Sequence, residues 1–427
     1  MVGCATVHPL QERVAAPASA TSDVARADSV SSESSPRTRP ELLGAASDRL
    51  ILLLAFGSAG ESVAADIERS FRHALRVTSP AVSGETVRAE SPYETALACD
   101  TLMQPRPPAL IVFAGDEGCA AVVALMSAEY RVPVLKITAD GRSCSFLSDF
   151  LFEFLPSAQE QADALGEYAV RRLGLSSAVI LAPNDASGRA LADGFANGAE
   201  RAGGVVDTTV SYSPLATNIR PDLGKVFSST TRAKHGRVKL GTVLTPEERT
   251  EAFGDAQKGD VLFSDADSDS TQTPETRSGE GFFFALSPFK VDAYASQLPT
   301  LPRGTVLLGN SSWADLEALA GNSTATEGMY LAAPLLPEPS DSNAVLLSYL
   351  QGAPRSVNEW ELLGLDAGTY VGQLLSAQES SGQDVFHTLA RMGRFSGIAA
   401  EVDFAGTHQN RAVRILQYQD GELRTIR

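Results

Sequence analysis

Short apolar runs alternate along this chain with stretches whose apolar residues recur every three or four positions, and the alternation begins at Arg49. Arg49 to Phe56 is the first run, turned by Gly57-Ser58-Ala59-Gly60. Val63, Ile67, Phe71 and Leu75 then mark one face of a helix. Thr86 to Ala89 predicts a second, weaker strand. Ser91-Pro92-Tyr93-Glu94 predicts a helix start: Ser caps, Pro fits the first turn and Glu reaches back. That helix runs to about Met103 and stops before Pro105, Pro107 and Pro108. Ala109 to Ala114, a helix from Gly118 to Tyr130, and Val132 to Ile137 complete the set. The pattern is that of a parallel sheet with helical crossovers.

Phe150 to Leu155 reads as a strand crossing into a second lobe, and Ser157-Ala158-Gln159-Glu160 as a capping box. Ala162, Leu165, Ala169 and Leu173 line the helix it starts. Ser177 to Tyr212 is a complete βαβ unit. Ala178 to Ala182 and Val205 to Val210 are its strands, Ala190, Phe195 and Ala199 mark its helix, and Gly203-Gly204 is the stop. Its strand-to-helix turn lies at the carboxyl ends of the strands, where open α/β sheets bind ligands. From Asp222 to Gly281 the pattern weakens, with a helix start at Thr245-Pro246-Glu247-Glu248 and a short apolar run at Val261 to Phe263. Alternation resumes with Phe282 to Leu286, a helix through Tyr294, and Thr305 to Leu308. Met329 to Pro334 reads as a return crossing. Helices follow over Ser342 to Leu350, Val357 to Ala377 and Asp384 to Met392. The chain closes with Glu401 to Phe404 and Arg411 to Tyr418, then a hairpin at Asp420-Gly421.

The 427 residues are more than one core usually serves, so two lobes are expected. The first, residues 48–152 plus 333–400, holds the opening alternation; the second is 153–332 plus 401–427. A formal net charge of -17 argues against nucleic acid, whose phosphates need clustered Lys and Arg. No apolar run reaches the length of a membrane span. Residues 1–47 are rich in Ala, Ser, Pro and Thr and read as a disordered linker. They begin MVGCATVHP, in which Gly-Cys-Ala before a polar tether resembles the cleavage site of a bacterial lipoprotein, with Cys4 as the lipid-carrying residue. Either a basic, apolar leader is encoded upstream, or Cys4 is an ordinary cysteine. Cys99, Cys119 and Cys144 match no zinc spacing. Cys119 and Cys144 each follow a strand, so a disulfide and a pair of buried thiols are both compatible readings.

The order of elements from Asp48 to Arg427 resembles the type I periplasmic binding protein family, which includes the leucine/isoleucine/valine-binding proteins. LILLLAFGSAGES at Leu50 resembles its first strand and Gly-bearing turn. PALIVFAGDEGCAAVVALMSAEYRVPVLKITAD at Pro108 resembles its third and fourth strands. The βαβ unit from Ala178 resembles the start of its second lobe, and the segment from Gly397 to Leu423 its closing hairpin. The resemblance implies an α/β fold of two Rossmann-like lobes with parallel sheets, crossed three times by the chain. It implies an extracytoplasmic, non-enzymatic solute-binding protein, the substrate-binding component of an ABC transporter. Such a protein works with an ABC permease, is periplasmic, and meets the membrane only through a lipid anchor. A second branch, lipoproteins that activate penicillin-binding proteins, the peptidoglycan synthases, is resembled by Thr305 to Glu338.

In that family an amino-acid-like ligand is clamped between the lobes, on loops after the strands. Carried over, the first-lobe positions are Ser58, Gly118 and Cys119, then Thr138, Ala139, Arg142 and Ser143. The second-lobe positions are Ser187, Phe289, Ser311 and Trp313. The chain departs from the pattern at Asp116-Glu117, where carboxylates would repel a ligand carboxylate, and at Ser187, where relatives often have Tyr. The blander reading of Asp116, Glu117 and Arg142 is a solvated loop, and of Trp313 a core cap. Enzymatic readings find little support. His8, His73, His235, His387 and His408 form no metal-ligand pair, and neither a nucleophile elbow nor a phosphate-binding Gly loop occurs. Asp265, Asp267 and Asp269 have the first spacing of a calcium loop without its Gly or Glu, so no metal or cofactor is expected.

Overall fold

The computed structural model describes residues 49–82, 84–139, 141–233, 280–286, 291–298, 301, 304–336, 343–352, 357–404 and 406–426. Cys4 and the linker, the helix start at Thr245, the run Val261 to Phe263, the acidic loop at Asp265 and the candidate Phe289 lie outside the described residues.

The first sheet consists of β1 (Leu50–Ala55), β2 (Gly84–Ala89), β3 (Leu110–Gly115), β4 (Val134–Lys136) and β5 (Leu151–Glu153). All are parallel, in the order β2-β1-β3-β4-β5. Every residue of β1 and β3 is buried, which is why both read as unbroken apolar runs: a central parallel strand is covered on both faces. The crossovers are α1 (Glu61–Thr78), α2 (Pro92–Leu102) and α3 (Glu117–Tyr130). Ser91 caps α2 as its sequence predicts, accepting the Glu94 N–H at 3.2 Å, with Pro92 in the first turn.

The second sheet begins with β6 (Ser177–Pro183), β7 (Val205–Tyr212), β8 (Glu280–Phe284), β9 (Thr305–Gly309) and β10 (Tyr330–Ala333). A two-stranded ribbon, β11 (Phe395–Ser396) with β12 (Glu401–Val402), precedes its last strands, β13 (Arg414–Gln419) and β14 (Glu422–Thr425). The order is β14-β13-β10-β9-β8-β6-β7, parallel from β7 to β10 and antiparallel beyond. The Asp420-Gly421 turn has φ of 55° and 84°, the doubly left-handed hairpin turn that its sequence predicts. Helices α4 (Ala158–Arg171), α5 (Ala186–Arg201) and α6 (Arg220–Ala233) belong to this half. After β10 come α7 (Ala344–Gly352), α8 (Glu359–Ser381) and α9 (Val385–Arg391), which return to the first sheet.

The α/β class, the two sheets and three passages of the chain between them are as the sequence implies; the first sheet is wholly parallel, and the second is mixed because its last two strands run antiparallel. Two boundaries shift. Phe150 to Leu155 reads from sequence as a crossing strand; β5 is instead the edge strand of the first sheet, and the crossing follows it. Met329 to Pro334 reads from sequence as the return; β10 lies instead inside the second sheet, between β9 and β13. Both runs are short and apolar, and such a run carries no mark of the sheet it joins.

One packing device recurs in both halves. Gly364, Gly368 and Gly372 lie four apart on α8 and face α1; a Cβ on Gly368 would sit 2.5 Å from the Phe71 carbonyl oxygen. Between α4 and α5, a Cβ on Gly198 would sit 1.9 Å from the Asp163 carbonyl oxygen. Bare glycine backbone lets each helix pair close to a separation that a methyl group would prevent. Gly368→Val is therefore expected to destabilise the protein by about 1–3 kcal/mol through overpacking. Gly393→Val, at a position with nothing within 4 Å, serves as the control and should shift stability by no more than ~0.5 kcal/mol. Urea unfolding of the two variants checks both.

Candidate functional site

Apolar strands rarely carry charge, yet β4 contains Lys136 and β5 contains Glu153, each 1% exposed. They satisfy one another: Lys136 Nζ donates to Glu153 Oε1 at 2.7 Å. The same Oε1 accepts the Cys144 N–H at 3.0 Å, and Oε2 accepts the Ser143 hydroxyl. Gln409 Nε2 donates to Ser143 Oγ at 2.7 Å and to Ser145 Oγ at 2.8 Å. Carboxylate, ammonium, hydroxyls and amide thus close a network beside the first passage between the sheets.

The passages are tied to each other by backbone. Glu153 donates its N–H to the His408 carbonyl at 2.8 Å and accepts the Asn410 N–H at 3.1 Å. Asn410 is fully buried; its Nδ2 donates to the Phe154 and Glu401 carbonyls, and its Oδ1 accepts the Asp403 and Ala412 N–H groups. All of its amide's bonding capacity is therefore used on passages one and three. The second passage joins through the Leu336 N–H to the Ala399 carbonyl at 3.0 Å. Asp366, on α8, accepts the consecutive N–H groups of Ile398, Ala399 and Ala400 at 2.6, 2.8 and 2.7 Å. Burial pushes this carboxyl above the ordinary aspartate range, while those N–H groups and Arg414 pull it back.

Above this hinge the carboxyl-end loops of the two sheets face each other. Gly141, after β4, accepts the Gln159 N–H at the start of α4 at 3.0 Å. A Cβ on Gly141 would lie 3.5 Å from Ser187 Cα and 3.7 Å from Glu117 Oε2, so the loop after β4, the first turn of α5 and the start of α3 converge there. Arg142 crosses the gap to Asp193 of α5 at 2.6 Å, with both side chains 55% exposed. On the far side, Asp116 Oδ2 accepts the Gly57 N–H at 3.2 Å, joining the turns after β1 and β3.

The residues singled out from sequence divide into two groups. Ser58, Gly118, Ala139 and Ser187 are exposed at these strand ends, and Ser311 is half-buried at the end of β9. The others are occupied elsewhere. Thr138 is buried, donating to the Gly115 carbonyl at 3.0 Å and accepting the Gly115 N–H at 3.3 Å, so it laces β3 to β4. Ser143 belongs to the hinge network and Arg142 to its interlobe pair. Trp313 is completely buried and donates to the Phe284 carbonyl at 2.8 Å, which makes it the core cap. No disulfide joins Cys119 to Cys144. Each is a buried thiol, Cys119 on α3 hydrogen-bonded to Thr95 of α2, and burial pushes its pKa up. Burial also carries the Cys99 thiol to about 12, so neither of these two is a reactive thiolate. Among the described residues no helix is long and apolar enough to cross a membrane, and no cluster of ligating side chains could hold a metal ion. Lys136, Glu153, Gln409 and Asn410 were missed from sequence. For the first two the signal was present, a lone charge inside an apolar strand.

Residues 89–231 match a family described as periplasmic binding protein. A search of curated proteins by sequence finds no match. Among solved structures, a protein from Rhodospirillum rubrum provisionally assigned to a branched-chain amino acid ABC transporter superposes with a TM-score of 0.66. It is 12% identical, over 88% of this chain and 100% of its own. A solute-binding protein of an ABC transporter from Rhodopseudomonas palustris HaA2, in complex with p-hydroxybenzoic acid, gives 0.60 at 14% identity over 88% and 96%. An ABC transporter substrate-binding protein from Desulfitobacterium hafniense, in complex with Leu, gives 0.59 at 14% identity over 88% and 100%.

Two outcomes test the hinge. Lys136→Met strands the buried Glu153 carboxylate and should cost about 3–5 kcal/mol in urea unfolding. Adding Glu153→Gln, which keeps an acceptor for the Cys144 N–H, should recover most of that loss. His408 lies beside Phe152, with ring centroids 4.5 Å apart, and burial lowers its pKa from 6.5. The unfolded chain thus binds this proton more readily, so the contribution is whole above pH 6.5 and shrinks as pH falls toward the lower folded value. Between about pH 7.5 and 5.5, His408→Phe should lose less stability than the parent chain.

Proposed function

We propose that this chain belongs to the type I periplasmic binding protein family, a reading that its fold and its match over residues 89–231 support, and is an extracytoplasmic solute-binding protein. It is the substrate-binding component of an ABC transporter, periplasmic and non-enzymatic. It captures a small amino-acid-like ligand between its lobes and presents it to the permease. One observation supports the reading: the strand-end loops of the two sheets converge, above passages tied together by buried hydrogen bonds. A ligand touching both rims binds the closed arrangement better than the open one, and that difference in affinity drives closure.

The groups assigned to the ligand are those at the rims that the fold leaves exposed, Ser58, Gly118 and Ala139 from the first sheet and Ser187 from the second, together with the half-buried Ser311. Asp116 and Glu117 stand at the start of α3 among them, which favours a ligand that turns an ammonium toward the first lobe. The first turn of α5, at Ser187, then receives the ligand's carboxylate, as helix N-termini favour anions. Lipid tethering through Cys4 fits this location. The solved structures named above are transporter components, so the synthase-activator alternative draws no support from them.

Thermal denaturation against a panel of L-amino acids tests the proposal. At ligand concentrations 100-fold above Kd the stabilisation should reach about 2.7 kcal/mol. Ser187→Trp should abolish the shift while leaving the unliganded midpoint in place. No shift from any member at millimolar concentration would overturn the reading.

A further inference from the structure

An α-helix begins with backbone N–H groups that have no partner inside the helix. At the start of α4 the capping box takes two of them: Ser157 Oγ accepts the Glu160 N–H at 3.3 Å, and Glu160 Oε2 accepts the Ser157 N–H at 2.8 Å. The Gln159 N–H, between them, is met from outside the second lobe. Its acceptor is the Gly141 carbonyl at 3.0 Å, on the loop that follows β4 of the first sheet. With the lobes apart only water would serve this N–H, so the bond marks their approach.

The residue type at 141 fits this closeness. A Cβ there would lie 3.5 Å from Ser187 Cα and 3.9 Å from Ala190 Cβ, both on α5. Those are ordinary contact distances, so a methyl group fits against the second lobe and a branched side chain does not. The φ of Gly141 is not positive, so its conformation does not require glycine. Both sides of the contact are stiff. The loop is pinned at one end by Thr138, whose hydroxyl bonds both ways to Gly115. It is pinned at the other by Ser143, which bonds to Glu153 and accepts the Gln409 amide at 2.7 Å. The platform it meets is the α4/α5 pair. A Cβ on Gly194 would sit 2.1 Å from the Gln159 carbonyl oxygen, so the helix start that donates to Gly141 is itself pressed onto α5. Arg142 adds its ion pair to Asp193 at 2.6 Å. One step of loop, Gly141-Arg142, therefore meets the platform by a backbone hydrogen bond, a backbone contact and an ion pair.

We infer that Gly141 and Arg142 form a latch of the protein on itself, which docks on the α4/α5 platform, sets where the approach of the two lobes stops, and favours that arrangement before any ligand binds. A ligand that touches both rims adds to this bias. Ser187 lies beside Gly141, so on the ligand reading the latch also fixes the room left at the first turn of α5. The latch stands without that reading, and its test uses no ligand.

Amide hydrogen exchange of the ligand-free full chain tests this at the one amide concerned. The Gln159 amide should be protected. Gly141→Ile should speed its exchange about fivefold, the factor that one net hydrogen bond carries. The amides of Leu165 and Ala169, further along α4, should be unchanged, and the radius of gyration from small-angle X-ray scattering should rise. Gly141→Ala, whose Cβ fits, should behave as the parent. Should Gly141→Ile fail to fold, Gly141→Val is read in its place. A Gln159 amide that exchanges in the parent as freely as one open to water would overturn the inference. So would a folded isoleucine or valine variant that leaves either reading as it is in the parent.

Discussion

Three strands of backbone must pass between two separately folded sheets without leaving N–H and C=O groups unbonded in a buried place, and the rest of this structure depends on how that is met. Buried backbone polar groups left unpaired are costly, so each passage needs partners. Here the passages are partners for each other. Asn410 spends its whole amide on passages one and three, Asp366 holds three consecutive N–H groups of 398–400, and Leu336 bonds across to Ala399. The carboxylate of Glu153 is satisfied by Lys136, Ser143 and the Cys144 N–H in the same region. Because one cluster serves all three passages, the two halves share one pivot, and toward the rims the contacts between them include the Gln159 N–H to the Gly141 carbonyl and the Arg142–Asp193 pair.

Rigidity on either side of the pivot comes from a different source. Each half has its own apolar cores, and each is braced by one helix pair closed over glycine backbone, α1 with α8 and α4 with α5. A stiff body on each side of a narrow tie concentrates any relative motion at the tie. An ion pair that reaches across the rims, Arg142 with Asp193, is half exposed and screened by water, so it adds little by itself. On the proposed reading, a small ligand bridging the rims decides the balance between open and closed arrangements.

The fold was largely legible because buried parallel strands announce themselves as apolar runs and because Ser91, Ser157 and Gly421 carry their capping and turn chemistry in their own residue types. Sheet membership was not legible for β5 and β10, since an apolar run fits either sheet. The candidate site was legible only in part. Ser58, Ala139 and Ser187 lie exposed after strand ends, a position that can be read from the strand pattern alone. That position says nothing about where a side chain spends its hydrogen bonds, so Thr138, Ser143 and Trp313 looked like binding groups although each is consumed within the protein. Lys136 and Glu153 could have been found by asking why a charge sits in an apolar strand. Asn410 could not, because three of its four bonds reach Phe154, Glu401 and Asp403, which only the folded chain brings near it.

Amide hydrogen exchange at the passages measures the central claim most directly. If the tie is the shared pivot, the amides of Ile398, Ala399, Ala400, Asn410 and Ala412 should exchange only through global unfolding, with protection equal to that of β1 and β3. Exchange of these amides through local opening, markedly faster than that of the central strands, would contradict the account.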